Sequence, residues 1–156
     1  MTFSHDGLRD SLTHLAAPPY FYENLRRELA SVERNKSRLS LIKFLVTSKK
    51  IESEKVGSDS QKTDSEYESA ILSFAEALKA STRSEDLCAR LGKFEFTLIF
   101  KGAVDVAHSL AERVIAAWAE DNFQCQFAII AVKSGESSLE ILNRLDNQEL
   151  ISIPQS

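Results

Sequence analysis

RSEDLCARLGKFEFTLIF, running from Arg83 to Phe100, decides the fold. Leu87, Ala89 and Leu91 alternate with Cys88 and Arg90, and Phe94, Phe96, Leu98 and Phe100 alternate with Glu95, Thr97 and Ile99. Period-two alternation on both sides of Gly92-Lys93 predicts a β-hairpin, because successive strand side chains point to opposite faces. Glycine followed by a non-glycine suits a type II′ turn, which needs positive φ only at its first central residue. Arg90 reads as a structural strand residue.

Upstream, Leu39 to Thr47 (LSLIKFLVT) is apolar on both alternations, as a central strand covered on both faces would be. Lys43 interrupts it and has no role assignable from sequence. Phe21, Leu25, Leu29 and Val32 form one helical stripe after Pro18-Pro19, a pair that suits a helix start. A second helix follows from Ile71, Phe74, Ala75 and Leu78, and a third from Ala107, Leu110, Ala111, Val114 and Trp118. Phe123 to Val132 reads as a strand, Ser137 and Glu140 have capping-box spacing for a short helix ending near Asp146, and Leu150 to Ile153 reads as a last short strand. Residues 52–66 hold one large apolar side chain, Val56, among serines and charges, and read as a mobile insertion. The order helix, strand, helix, hairpin, helix, strand, helix, without repeat or linker, predicts one α+β domain over 1–156.

Composition excludes several classes. The 156 residues carry 23 acids against 19 bases, a net charge of −4, which disfavours a protein built to coat nucleic acid or an anionic membrane. No apolar run approaches the roughly 20 residues of a membrane helix, and the opening MTFSHDGLRDSL lacks a signal peptide's basic and apolar regions, so a cytoplasmic protein is expected. Cys88 and Cys125 are too few and too far apart for a disulfide framework or zinc cage, and read as buried thiols. His5, His14 and His108 do not cluster with acids at metal-ligand spacing, and His108 is expected on an exposed helix face.

Three stretches carry a resemblance. Asp10-Ser11-Leu12-Thr13-His14-Leu15 with Phe21 resembles the DxLTGLxNRxxF opening of the GGDEF family, the bacterial diguanylate cyclases. Arg83 to Phe96 is similar to that family's RxxDxxxRxGGDEF stretch over fourteen positions, and AERVI (111–115) and Ser138 to Asp146 continue the similarity. The resemblance implies a five-stranded, mostly antiparallel sheet flanked by helices, as in the palm of nucleotide cyclases. Active members join two GTP molecules into cyclic di-GMP.

Such phosphoryl transfer needs Mg²⁺ held by carboxylates. The resemblance takes those ligands from the first Asp of a DxD pair and from the Glu of the signature; the two aspartate positions fall on Leu45 and Thr47 and the glutamate on Glu95, so only Glu95 is acidic. Lys93 stands at the second glycine of the signature after Gly92, Phe94 at its aspartate, and Phe96 matches its final position. The guanine-reading Asn-Asp pair and the terminal lysine motif have no counterpart. An inactive cyclase homologue is expected, with no catalytic residues and no metal.

What survives is RxxD, here Arg83 and Asp86, together with Arg113 on the following helix. In the family these form the inhibitory site for cyclic di-GMP, and the chemistry suits the residues: guanidinium forks onto phosphate, while carboxylate accepts from the guanine edge. The expectation is a cyclic di-GMP receptor acting through assembly or docking of a protein partner. The alternatives are an ordinary Arg83–Asp86 surface pair in a nucleotide-free structural or dimerisation module, residual enzymology on another nucleotide, and an RNA-binding sheet. The last would use exposed rings in the run 93–100.

Overall fold

The computed structural model describes residues 3–49, 64–118 and 120–153. Four helices, α1 (Pro18–Asn35), α2 (Asp64–Ser81), α3 (Val104–Ala117) and α4 (Ser138–Asp146), flank five strands. The strands are β1 (Ser40–Ser48), β2 (Leu87–Gly92), β3 (Glu95–Phe100), β4 (Phe123–Ala131) and β5 (Ile151–Ser152). They form one sheet in the order β2-β3-β1-β4-β5, and every pairing is antiparallel. β1 lies at the centre, as its two-sided apolar pattern requires.

Alternation along β1 divides the core. Ile42, Phe44 and Val46 face α2 and α3, where they pack with Ile71, Phe74, Leu78, Leu110 and Val114. Leu41 faces the other layer with Phe21 and Leu25 of α1 and Ile141 and Leu145 of α4. Pro18 and Pro19 occupy the first turn of α1, and Lys36 ends it in the left-handed region at φ 55°. The α4 capping box forms as expected: Ser137 Oγ accepts from the Glu140 N–H at 3.2 Å, and Glu140 accepts from the Ser137 N–H at 2.9 Å.

Asp10, preceding the sheet, is joined to it by a buried ion pair. Arg90 Nη1 lies 3.1 Å from both Asp10 oxygens, and neither side chain is exposed. Asp10 also accepts from the N–H and the hydroxyl of Thr13, each at 2.8 Å. This confirms the structural reading of Arg90. Ala16 lies alongside β2, donating to the Cys88 carbonyl at 3.1 Å and accepting from the Arg90 N–H at 3.0 Å.

Some expectations are corrected. The hairpin is present, but Gly92 pairs with Glu95, so the turn centres on Lys93-Phe94 rather than Gly92-Lys93. Gly92 has no positive φ, and the type II′ expectation fails. The reason is a register shift between Arg90 and Gly92 that displaces the turn by one residue, while Arg90 Nη2 holds the Lys93 carbonyl at 2.7 Å. Of the expected 52–66 insertion, 52–63 lies outside the described residues, and 64–66 belongs to α2. Asp64 and Glu66 suit that helix's N-terminal dipole, and Tyr67 packs against Phe94 and Phe123. Cys125 is buried, whereas Cys88 is half-buried, and desolvation pushes the Cys88 thiol up to about 11. His108 is half-buried against Phe127 rather than exposed.

Candidate functional site

The turn between α2 and β2 positions the RxxD pair. Thr82 closes α2 by donating its hydroxyl to the Leu78 carbonyl at 3.0 Å, and the Asp86 N–H returns to the Arg83 carbonyl at 3.1 Å. The two side chains therefore meet. Arg83 Nε and Nη2 lie 3.1 and 3.2 Å from the two Asp86 oxygens, a bidentate pair. Asp86 also accepts from the Arg83 N–H at 3.3 Å and the Lys101 N–H at 3.1 Å, which ties the turn to the end of β3.

The two partners differ in burial. The Asp86 side chain is 1% exposed and that of Arg83 51%. Asp86 is an internal anchor, and Arg83 presents its guanidinium to solvent across the Phe100 ring, 5.0 Å from the centroid. The Asp86 hydrogen bond holds the Arg83 guanidinium in its charged form. Arg113 of α3 joins them around a pocket of about 190 Å³, floored by Phe100, Val106 and Leu110. All three residues singled out from sequence line this one pocket. Phe100 was legible only as a strand residue, because its place under Arg83 depends on how β3 ends.

The positions matching the metal ligands lie elsewhere, on β1 and β3. Leu45 stands directly opposite Glu95, with Gln126 on its other side, and Thr47 pairs with Gln124. Lys43, two residues before Leu45 on the same face, places its Nζ 3.2 Å from Asp146 of α4. This gives Lys43 a role that the sequence did not. Burial raises the Glu95 carboxyl above its ordinary value; Lys43 pulls it back down and Asp146 pushes it further up. An ammonium thus provides the cationic charge between these two acids. Among the described residues no group of three or more His, Cys, Asp or Glu side chains is placed to hold a metal. On the run 93–100, Phe96 and Phe100 are buried, so those rings form no exposed stacking platform.

One five-stranded antiparallel sheet centred on β1 and flanked by four helices, with an Arg–Asp turn before a hairpin, defines an α+β domain. The family model described as "Diguanylate cyclase, GGDEF domain" matches residues 8–134, and the chain belongs to that family. It is 25% identical over 147 residues to the diguanylate cyclase DgcS of Shewanella oneidensis, a match covering 94% of this chain and 47% of that protein. The chain therefore spans about half the length of that relative. Among solved structures, the GGDEF domain of DgcB from Caulobacter crescentus in complex with c-di-GMP is similar at 20% identity. Its TM-score is 0.76, with 94% of this chain and 87% of that one covered. The diguanylate cyclase SiaD of Pseudomonas aeruginosa, in complex with its activator SiaC, is similar at 24% identity and a TM-score of 0.75, covering 90% of this chain and 55% of that one. Among the described residues no helix is long and apolar enough to cross a membrane.

Proposed function

We propose that this chain is a single, catalytically inactive GGDEF domain of the cytoplasm that binds cyclic di-GMP through Arg83, Asp86 and Arg113. Binding is passed on by self-association or by docking of a protein partner. The observation that carries the reading is the meeting of both arginines on one pocket beside Asp86, away from a metal position where Glu95 is the one acid and faces Leu45. The Arg113 guanidinium offers a forked donor to phosphate oxygens, Arg83 can join it by leaving its pair with Asp86, and Phe100 supplies an apolar wall for a base.

The residues around Glu95 support inactivity. An aliphatic Leu45 and an amide at Gln126 supply no second carboxylate, and the Lys43 ammonium repels a divalent cation. These residues do not fit Mg²⁺. The cyclic di-GMP carried by the DgcB structures and the activator bound to SiaD are the relatives' precedents for ligand and partner.

A nucleotide-free docking module is the second reading, and the saturated Asp86 carboxylate favours it. Every hydrogen bond to that carboxylate comes from Arg83 or Lys101, so accepting from guanine requires Arg83 to swing out. Calorimetric titration with cyclic di-GMP decides between the two. Binding to the wild type that is lost in both Arg83→Ala and Arg113→Ala supports the receptor, and no heat at high micromolar ligand overturns it. Incubation with GTP and Mg²⁺ is expected to give no cyclic di-GMP, and any such product overturns inactivity.

A further inference from the structure

A larger pocket, of about 580 Å³, lies between the N-terminal segment and the α2–β2 turn. It shares only Arg83 and Asp86 with the pocket that holds Arg113. Its volume falls within the range of about 300–1,000 Å³ usual for small-molecule sites, which the smaller pocket does not reach. Arg9, His14, Lys79 and Arg83 all line it. Its one acid is Asp86, whose carboxylate is 1% exposed and already bonded to Arg83 and Lys101.

The charge is unevenly compensated. Glu76 stands 3.3 Å from Lys79 and Glu85 stands 3.5 Å from Arg83. The Arg9 N–H donates to the Asp6 carboxylate at 2.8 Å, but the Arg9 guanidinium and the His14 ring have no carboxylate partner among the described residues; Arg9 rests over the Tyr20 ring, 5.6 Å from its centroid. His14 is held at φ 63°, a conformation that residues other than glycine seldom adopt, with its N–H bonded to the Asp10 carbonyl at 2.9 Å. The buried Asp10–Arg90 pair thus fixes where that imidazole sits. Among the described residues, the Arg9 guanidinium is thus the one cation in this concavity left without a carboxylate, beside the paired Lys79 and Arg83.

We propose that this pocket is a second anion site, adjoining the Arg83–Asp86–Arg113 site through the Arg83 and Asp86 they share, and that it takes the phosphomonoester of a nucleotide-sized ligand. A monoester carries up to two negative charges on one phosphorus and presents three acceptor oxygens, matching a guanidinium fork beside further cations. The bridging phosphates of a cyclic dinucleotide carry one charge each. The pocket reads the phosphate rather than the base, and it does not depend on cyclic di-GMP binding.

The test is a titration of guanosine 5′-monophosphate, followed by amide shifts and calorimetry, into wild type, Arg9→Ala, His14→Gly and Arg113→Ala. Glycine adopts positive φ freely, so His14→Gly removes the ring without strain, and Arg9 is exposed, so both variants keep the wild-type melting temperature. Expected are saturable binding by the wild type, competition by inorganic phosphate, and no binding of guanosine. Arg9→Ala and His14→Gly should each weaken binding by about tenfold, while Arg113→Ala leaves it unchanged. Absence of saturation at millimolar nucleotide, binding of guanosine as tight as that of its phosphate, or indifference to both Arg9 and His14 overturns the proposal. Cyclic di-GMP separates the two sites. If Arg9→Ala weakens it in step with the monophosphate, the pocket is part of the first site and this inference fails. If Arg113→Ala leaves cyclic di-GMP binding intact, the receptor reading fails and this inference stands.

Discussion

Asp10→Ala is the most searching perturbation of the fold, because it removes one half of an ion pair whose members are both inaccessible to solvent. Four hydrogen bonds are lost at once: two from Arg90 Nη1 and two from Thr13. The guanidinium left behind keeps one hydrogen bond, to the Lys93 carbonyl, and the Phe3 ring 5.1 Å away, since its Nε has no hydrogen-bond partner among the described residues. Breaking a buried pair from one side costs about 3–5 kcal/mol, most of it the penalty of an uncompensated buried charge. For a chain of this length, each kcal/mol lowers the melting temperature by about 2–4 °C, so the expected fall is about 6–20 °C. Urea denaturation followed by circular dichroism should show a lower midpoint at unchanged slope. The double variant Asp10→Leu/Arg90→Met should recover most of the loss, because an apolar pair of similar volume needs no charge compensation. If Asp10→Ala costs less than about 1 kcal/mol, the pair behaves like an exposed surface bridge and the account of how the N-terminal segment is anchored is wrong.

Two further predictions concern Lys43 beside Glu95 and the cap of α4. Lys43→Met removes the cation that restrains Glu95, so the Glu95 carboxyl, already above its ordinary value of 4.5, should move higher in a carboxyl-detected NMR titration. A folded-state value raised above the unfolded one gives stability that is present at acidic pH and lost as pH rises from the ordinary value through the folded value, so the variant's stability should decline over a wider pH span than the wild type's. Ser137→Ala takes away the oxygen that accepts from the Glu140 N–H, and should lower stability by about 0.5–2 kcal/mol in the same denaturation assay.

The sheet and its helices were legible because their signals are periodic and local. The stripe Phe21-Leu25 and the two-sided apolar run of β1 each specify their own burial, and both lie in the core. The hairpin turn was misplaced by one residue because the register shift before Gly92 has no local signature; it arises where the Arg90 guanidinium reaches the Lys93 carbonyl. Arg83, Asp86 and Arg113 were found by resemblance, yet the saturation of Asp86 was hidden, since one of its donors, the Lys101 N–H, comes from the far end of the hairpin. Lys43 and Asp146 are 103 residues apart and Asp10 and Arg90 are 80 apart, so neither partnership leaves a trace in any window of sequence. The pocket around Arg9 and His14 was invisible for the same reason: its cations come from two separate stretches of chain.

Ala16 bonded along β2 has a consequence for growth by strand pairing. An unsatisfied sheet margin is a template on which another chain can pair, and a ribbon of indefinite length needs two such margins on every copy. Ala16 occupies part of one of them with hydrogen bonds to Cys88 and Arg90, while at the other, among the described residues, β5 pairs with Gln126 and Phe127 of β4. On β2 an incoming strand therefore meets backbone groups already taken at Cys88 and Arg90.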